Sequence, residues 1–389
     1  MNSIERIVAL KVSLVMATRM LGLFMLFPVI SVYATNEYQN TTPLLIGLTI
    51  GIYGLTQAFF QIPFGYLSDR FGRKPLLYIG LCLFLLGSIL AAISTNIIYV
   101  ILGRALQGSG AISAVLMAFL ADSISEENRS KANAFVGFQI GLAFMLSFLI
   151  GPTIASISGL SGIFWSIALL SVISLTLVAS LPHTKPINYY RLSVEEFKKV
   201  LNPKLLRLDF SAFILHLMLA SAFIVMPLLL VENNIINIAD NWKLYLPAMM
   251  MSFIGMVPLI ILAEKLQKTK LILLISIALL IISQFLFYEL ILNFSIFLIV
   301  LTLFFIAFNT IEAILPSLLS RTASYSKRGL AMGVFSTSQF LGTFFGGAIG
   351  GLIYDIFNLN SVFLFTIFMA IIWWLVILTW PQDNIKAEK

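Results

Sequence analysis

Charge is what this sequence has least of. Asp, Glu, Lys and Arg make up 11% of the 389 residues, against 60% hydrophobic residues, and mean hydropathy is +1.00. A soluble domain typically carries about 25% charged residues to cover its exterior. The composition excludes that class and makes the lipid bilayer the solvent. Cysteine is nearly absent. Cys82 stands alone in an apolar run, which excludes an intramolecular disulfide and a cysteine metal cluster and predicts a residue packed inside a helix. The sequence also lacks a G-x-x-x-x-G-K-S/T loop for nucleotide phosphates, a His/Cys/Asp cluster at metal-ligand spacing and a nucleophilic triad. An ATP-driven pump, a metal cofactor and an enzyme are therefore not expected.

What is present is a series of runs long enough to cross hydrocarbon, which takes about 20 apolar residues. They lie at 12–34, 44–67, 75–94, 97–120, 132–157 and 162–181, and then at 210–231, 244–263, 271–292, 296–319, 330–354 and 361–380. The first holds Arg19 and Pro28 and is too long for a signal-peptide core, so it reads as a retained helix. The expected fold is an all-α membrane protein of twelve transmembrane helices in two six-helix bundles. Its parts are an N-terminal bundle over 1–181, a cytoplasmic linker over 182–209 and a C-terminal bundle over 210–389. Within the linker, Ser193 and Glu196 form a capping-box pattern that predicts a short amphipathic helix.

Basic residues set the orientation. With both termini on one side, that side collects 21 of the 24 Lys and Arg residues and the other only Lys243, while Arg19 and Arg104 fall inside spans. Both termini are therefore expected in the cytoplasm of a bacterial inner membrane. The pI near 9.4 follows from this topology and calls for no nucleic-acid partner. The expected partners are the lipid bilayer and a small-molecule substrate, with the chain a monomer.

The halves are related. A shift of 195 places Pro63 on Pro258, Asp69 on Glu264 and Arg73 on Lys268. A shift of 199 places Pro28 on Pro227, Arg129 on Arg328 and Gly151 on Gly350. Parallel six-helix repeats point to a two-bundle transporter with its site near mid-membrane.

The loop after the second span reads GYLSDRFGRK over 65–74. Gly65 permits close helix approach, Gly72 a tight turn, and Asp69 sits among Arg70, Arg73 and Lys74. Across the next cytoplasmic loop stand Asp122 and Arg129, and Asp122 is placed to pair with Arg70. The segment resembles the loop signature G-x-x-x-D-R-x-G-R-K/R of the major facilitator superfamily, with every fixed position matched. The resemblance implies secondary transport by alternating access, with this loop latching the outward-facing state against the helix 11 N-terminus near 326–329. Arg104 with Gln107 and Gly108 is similar to the family's R-x-x-Q-G signature on helix 4. Gly151-Pro152 on helix 5 and Gly22 with Pro28 on helix 1 resemble its drug:proton antiporters, although Ser147, Ala155 and Ser156 replace glycines of the helix 5 pattern. The runs RMLGLFMLFPV and GIYGLTQAFFQIPFGYLSDRFGRKPL resemble the YajR-like group of efflux transporters, some of which carry a C-terminal soluble domain. The chain ends nine residues after Trp380, so that domain is expected to be absent. On helix 11, Gly342, Gly346 and Gly350 offer small residues four apart, expected to meet helix 5.

Ionisable residues inside spans are costly and mark function. They are Arg19, Arg104, His216, Glu289 and Glu312. Glu289 lies near the outer end of its span and reads as interfacial. Glu312, one turn from Asn309, is either a proton carrier or a counter-ion to Arg19. His216 has a suitable intrinsic pKa for carrying a proton. Tyr53, Gln57 and Gln61 add polar lining. With no cofactor, a proton is the expected coupling ion. The leading expectation is proton-coupled efflux of small amphipathic or drug-like molecules by antiport. The alternatives are a carrier of an anionic metabolite or siderophore-like compound, suggested by the two arginines, and a non-transporting membrane sensor.

Overall fold

The computed structural model describes residues 1–182, 200–289, 293–324 and 328–380. Apart from short turns, these residues are helical. Helix α1, Ser3–Phe24, opens on a capping box in which the Asn2 side chain accepts from the Glu5 amide at 2.8 Å and the Asn2 amide donates to Glu5 at 3.0 Å. It stops at Phe24 because the ring of Pro28 excludes a helical carbonyl four residues earlier. The chain turns and resumes as α2, Ile30–Glu37. The first span is therefore two helices, where the sequence reads as one.

Helix α3, Pro43–Phe71, starts with Pro at its first position and Thr42 as cap. It ends at Gly72, whose φ of 91° lets α4, Arg73–Ala92, begin at once. The fourth span breaks as well, into α5, Ile97–Ser109, and α6, Ser113–Ser123, around Gly110. Helix α7, Glu126–Ala179, contains two spans that meet at Gly159, with φ 62°. There the Glu37 carboxylate accepts from the Leu160 amide at 3.1 and 3.2 Å and caps the second of them.

The remaining helices are α8, Pro203–Glu232, α9, Trp242–Lys265, α10, Thr269–Glu289, α11, Phe294–Thr322, α12, Arg328–Ile356, and α13, Leu359–Leu378. Asn202 caps α8, which begins well before the expected residue 210. The expected linker helix at 193–196 and the loop residues 325–327 lie outside the described residues. Among the described residues, ten helical segments are long and apolar enough to cross a membrane. Separating the two spans of α7 and adding α12 gives six crossings in each of two compact units, Met1–Tyr190 and Arg191–Lys389.

Small residues hold each unit together. On α12, a Cβ at Gly342 or Gly346 would overlap the carbonyl oxygens of Phe213 and Leu217, and one at Gly350 would press on Ser221. These partners recur every four residues on α8, so two matching stripes interlock, and the Ser221 hydroxyl donates to the Gly346 carbonyl at 2.9 Å. In the first unit Gly151, followed by the buried Pro152, presses on the Met25 carbonyl, and Gly108 on the Tyr53 carbonyl. Within their own units the glycines of the fifth and eleventh helices pack on the first and seventh helices, whose backbone carbonyls occupy the space a side chain would need. Cys82 is exposed on α4, not packed inside.

Contacts also refine the internal repeat. Lys74 donates to the carbonyls of Ala179 and Leu181 at 3.1 and 2.7 Å. Lys270 donates to those of Leu378 and Trp380 at 2.8 and 2.6 Å. Each lysine caps the last turn of its unit's sixth helix, which has no intrahelical donors for those carbonyls. The residue equivalent to Lys74 is thus Lys270, one further along than the shift of 195 places it.

Candidate functional site

Three polar groupings stand out from the apolar interior. The first is the loop between α3 and α4. Arg73 is buried to 8% exposure and is its hub. It pairs with Asp69 one turn back, donates from Nε to Asp122 at 2.9 Å and from Nη1 to the Ser68 hydroxyl at 2.7 Å. Asp122, at the end of α6, therefore pairs with Arg73 and not with Arg70, whose guanidinium lies over the Phe71 ring at 5.2 Å. The reason is direction: Arg73 follows the turn at Gly72 and points back under α3, whereas Arg70 is still on the helix and points outward. Arg129 reaches the Ala121 carbonyl at 3.2 Å and Glu126 at 3.4 Å. Within its own unit, Gly65 has open space where a Cβ would stand. In the second unit Glu264, equivalent to Asp69, accepts from Arg321 at 3.3 Å.

The second grouping lies deep in the first unit. Arg19 on α1 is 1% exposed and Arg104 on α5 is 0% exposed. The Arg19 Nη2 donates to the Gly110 carbonyl at 2.9 Å, the Tyr53 hydroxyl at 3.1 Å and Gln57 at 3.2 Å, and Nη1 to Ser113 at 3.3 Å. Gly110 is where the fourth span breaks, so Arg19 satisfies a carbonyl that the break released. Arg104 donates from Nε to the Thr49 carbonyl at 3.2 Å and from Nη1 to Gln107 at 2.7 Å. Gln107 in turn donates to Ser88 at 2.8 Å, tying three helices. Tyr53 links the two cations: its hydroxyl accepts from Arg19 and its ring face carries the Arg104 guanidinium at 4.8 Å. Arg19 Nε and Arg104 Nη2 are buried without a hydrogen-bond partner.

The third grouping lies in the second unit. The Gln339 amide on α12 donates to Glu312 Oε1 at 3.0 Å. His216 Nε2 on α8 stands 3.9 Å from Glu312 Oε2, an atom buried without a hydrogen-bond partner. His216 Nδ1 lies 3.0 Å from the Ala212 carbonyl, to which it donates, and Gln339 Nε2 stands 3.5 Å from His216 Nε2. Within its own unit Glu312 thus has His216 beside it. Asn309 does not join them and donates to Ser252 at 2.9 Å. Gln339 escaped the sequence reading because a lone amide among serines, threonines and glycines carries no periodic signal. Glu37 escaped it because its partner, the Leu160 amide, is 123 residues away. Among the described residues no group of acids, histidines and cysteine has the arrangement of a metal site.

Known proteins place these features. The Major Facilitator Superfamily pattern matches residues 12–324 and 208–389. The inner membrane transport protein YajR of Escherichia coli K12 is 44% identical over 92% of this chain and 80% of its own length. An uncharacterized transporter of Buchnera aphidicola subsp. Acyrthosiphon pisum is 38% identical over 89% of this chain and 90% of its own. Among solved structures, a bacterial homologue of the human lysosomal transporter Spinster, inward-facing and occupied, superposes with a TM-score of 0.79 over 97% of both chains at 12% identity, which establishes a shared fold. The loop signature, the duplicated six-helix units and these relatives agree: the chain is a multi-pass membrane transporter, not an enzyme, and belongs to the Major Facilitator Superfamily.

Proposed function

We propose that this transporter is a proton-coupled exporter of small amphipathic molecules. It would work by alternating access in a bacterial inner membrane with both termini in the cytoplasm. The observation that supports coupling is Glu312 Oε2, a buried carboxylate oxygen with no hydrogen-bond partner, 3.9 Å from His216 Nε2. A carboxylate that is fully hydrogen-bonded holds one state; one with an open oxygen beside an imidazole can take up and pass on a proton. Gln339 keeps Oε1 in place while Oε2 changes protonation. Export is favoured by the antiporter-like residues of the first and fifth helices, Gly22, Pro28 and Gly151-Pro152.

The energetics suffice. A potential of 100 mV is worth about 2.3 kcal/mol per charge, so one exchanged proton sustains a substrate ratio of roughly fiftyfold. Proteoliposomes carrying Glu312→Gln, which mimics the protonated acid, should lose substrate-driven proton flux and uphill transport but keep downhill exchange. Accumulation against a gradient with the parent's pH dependence would overturn this assignment of the coupling residue.

A further inference from the structure

We infer that the Arg19–Tyr53–Arg104 cluster is an anion site and that it takes a carboxylate, or a similar oxyanion, of the transported molecule. This names a substrate class and rests on the transport reading above.

Two guanidiniums, each always charged, lie inside one bundle on either side of a single tyrosine. The acids of the described first unit are Glu5, Glu37, Asp69, Asp122, Glu126 and Glu127, and none bonds either arginine. The protein groups that hold the two cations are neutral: carbonyls, Gln57, Gln107, Ser113, Tyr53 and the Phe84 ring, 5.3 Å from the Arg19 guanidinium. Buried charges are retained when something pairs with them. The backbone role of Arg19, capping the Gly110 carbonyl, needs only one of its nitrogens. It leaves Nε free, as Arg104 leaves Nη2. Those two free donors, one from each arginine, are what an oxyanion accepts. Tyr53 stands between the two cations, its hydroxyl on Arg19 and its ring face under Arg104.

Binding without a gradient tests this. The full chain in detergent and zwitterionic buffer is melted with benzoate, its neutral isostere benzamide, chloride or inorganic phosphate. Benzoate should raise the Tm by at least about 2 °C more than benzamide, and Arg19→Gln and Arg104→Gln should each lose that increment. An equal increment from chloride or phosphate, lost in the same variants, upholds the anion site with a free inorganic ion as its occupant. Equal shifts from benzoate and benzamide, no shift from any of the three anions, or an increment kept in both variants overturns the proposal. Where the glutamine variants do not fold, Arg19→Lys and Arg104→Lys decide: affinity weakened at least about threefold supports it, and unchanged affinity overturns it. Glu312→Gln should keep the benzoate increment, so failure of proton coupling and failure of anion binding are read separately.

Discussion

Arg73 and Asp69 share one ion pair but face different conditions. Arg73 is nearly buried and serves Asp69, Asp122 and Ser68 together, while the Asp69 side chain is 53% exposed. Removing Arg73 leaves Asp122, 18% exposed, without its cation. Hydrogen bonds to charged groups are worth about 1.5–3 kcal/mol, so Arg73→Ala should lower thermal stability clearly. Arg70→Ala, which removes only a contact over an exposed ring, should change it by less than about 0.5 kcal/mol. Asp69→Asn breaks an exposed pair worth about 0–1 kcal/mol. Its Tm in detergent should stay near the parent's while its transport rate in proteoliposomes falls, as expected of a latch. A wild-type rate would remove Asp69 from that role, and a collapsed Tm would make it structural.

At the scale of elements, helices approach where a carbonyl takes the place of a side chain. Gly346 against Leu217 is such a point, whereas Gly333 on the same helix has open space around it. Gly346→Ala should therefore separate α8 from α12 and cost about 1–3 kcal/mol. Gly333→Ala should be neutral or stabilising, because alanine is favoured over glycine in a helix by roughly 1 kcal/mol. Melting curves of the two variants compare them directly, and equal losses would refute the interlocked stripes. The lysine caps form a second pair. Lys74→Met and Lys270→Met should both destabilise, since each strips donors from carbonyls at a helix end. Two units that have diverged in sequence retain the same device at equivalent positions.

For the whole molecule, the imbalance of basic residues carries the topology. A reporter fused after Asn40, in the turn that follows α2, and one fused after Trp380 should report opposite sides of the membrane. Same-side labelling would sink the assignment of cytoplasmic termini. The loop contact differs between the halves: Asp122 pairs with Arg73 in the first, whereas Arg321 pairs with Glu264, the counterpart of Asp69, in the second.

The sequence by itself determined the membrane class, the number of crossings, the duplication and the family. Each of these is written in runs of about twenty residues or in short contiguous motifs, and the bilayer enforces them locally, span by span. Even so, it read the first and fourth spans as unbroken. A break at Pro28 or Gly110 depends on whether other groups can satisfy the carbonyls it frees, and for Gly110 that group is Arg19, 91 residues away. Tertiary structure alone decided the partners: Asp122 with Arg73, the glycines of α12 with α8, Glu37 with Leu160, and Gln339 beside Glu312 and His216. A buried polar atom takes the nearest correctly aimed donor or acceptor, and which one is nearest is set by helix rotation and tilt, to which hydropathy is blind.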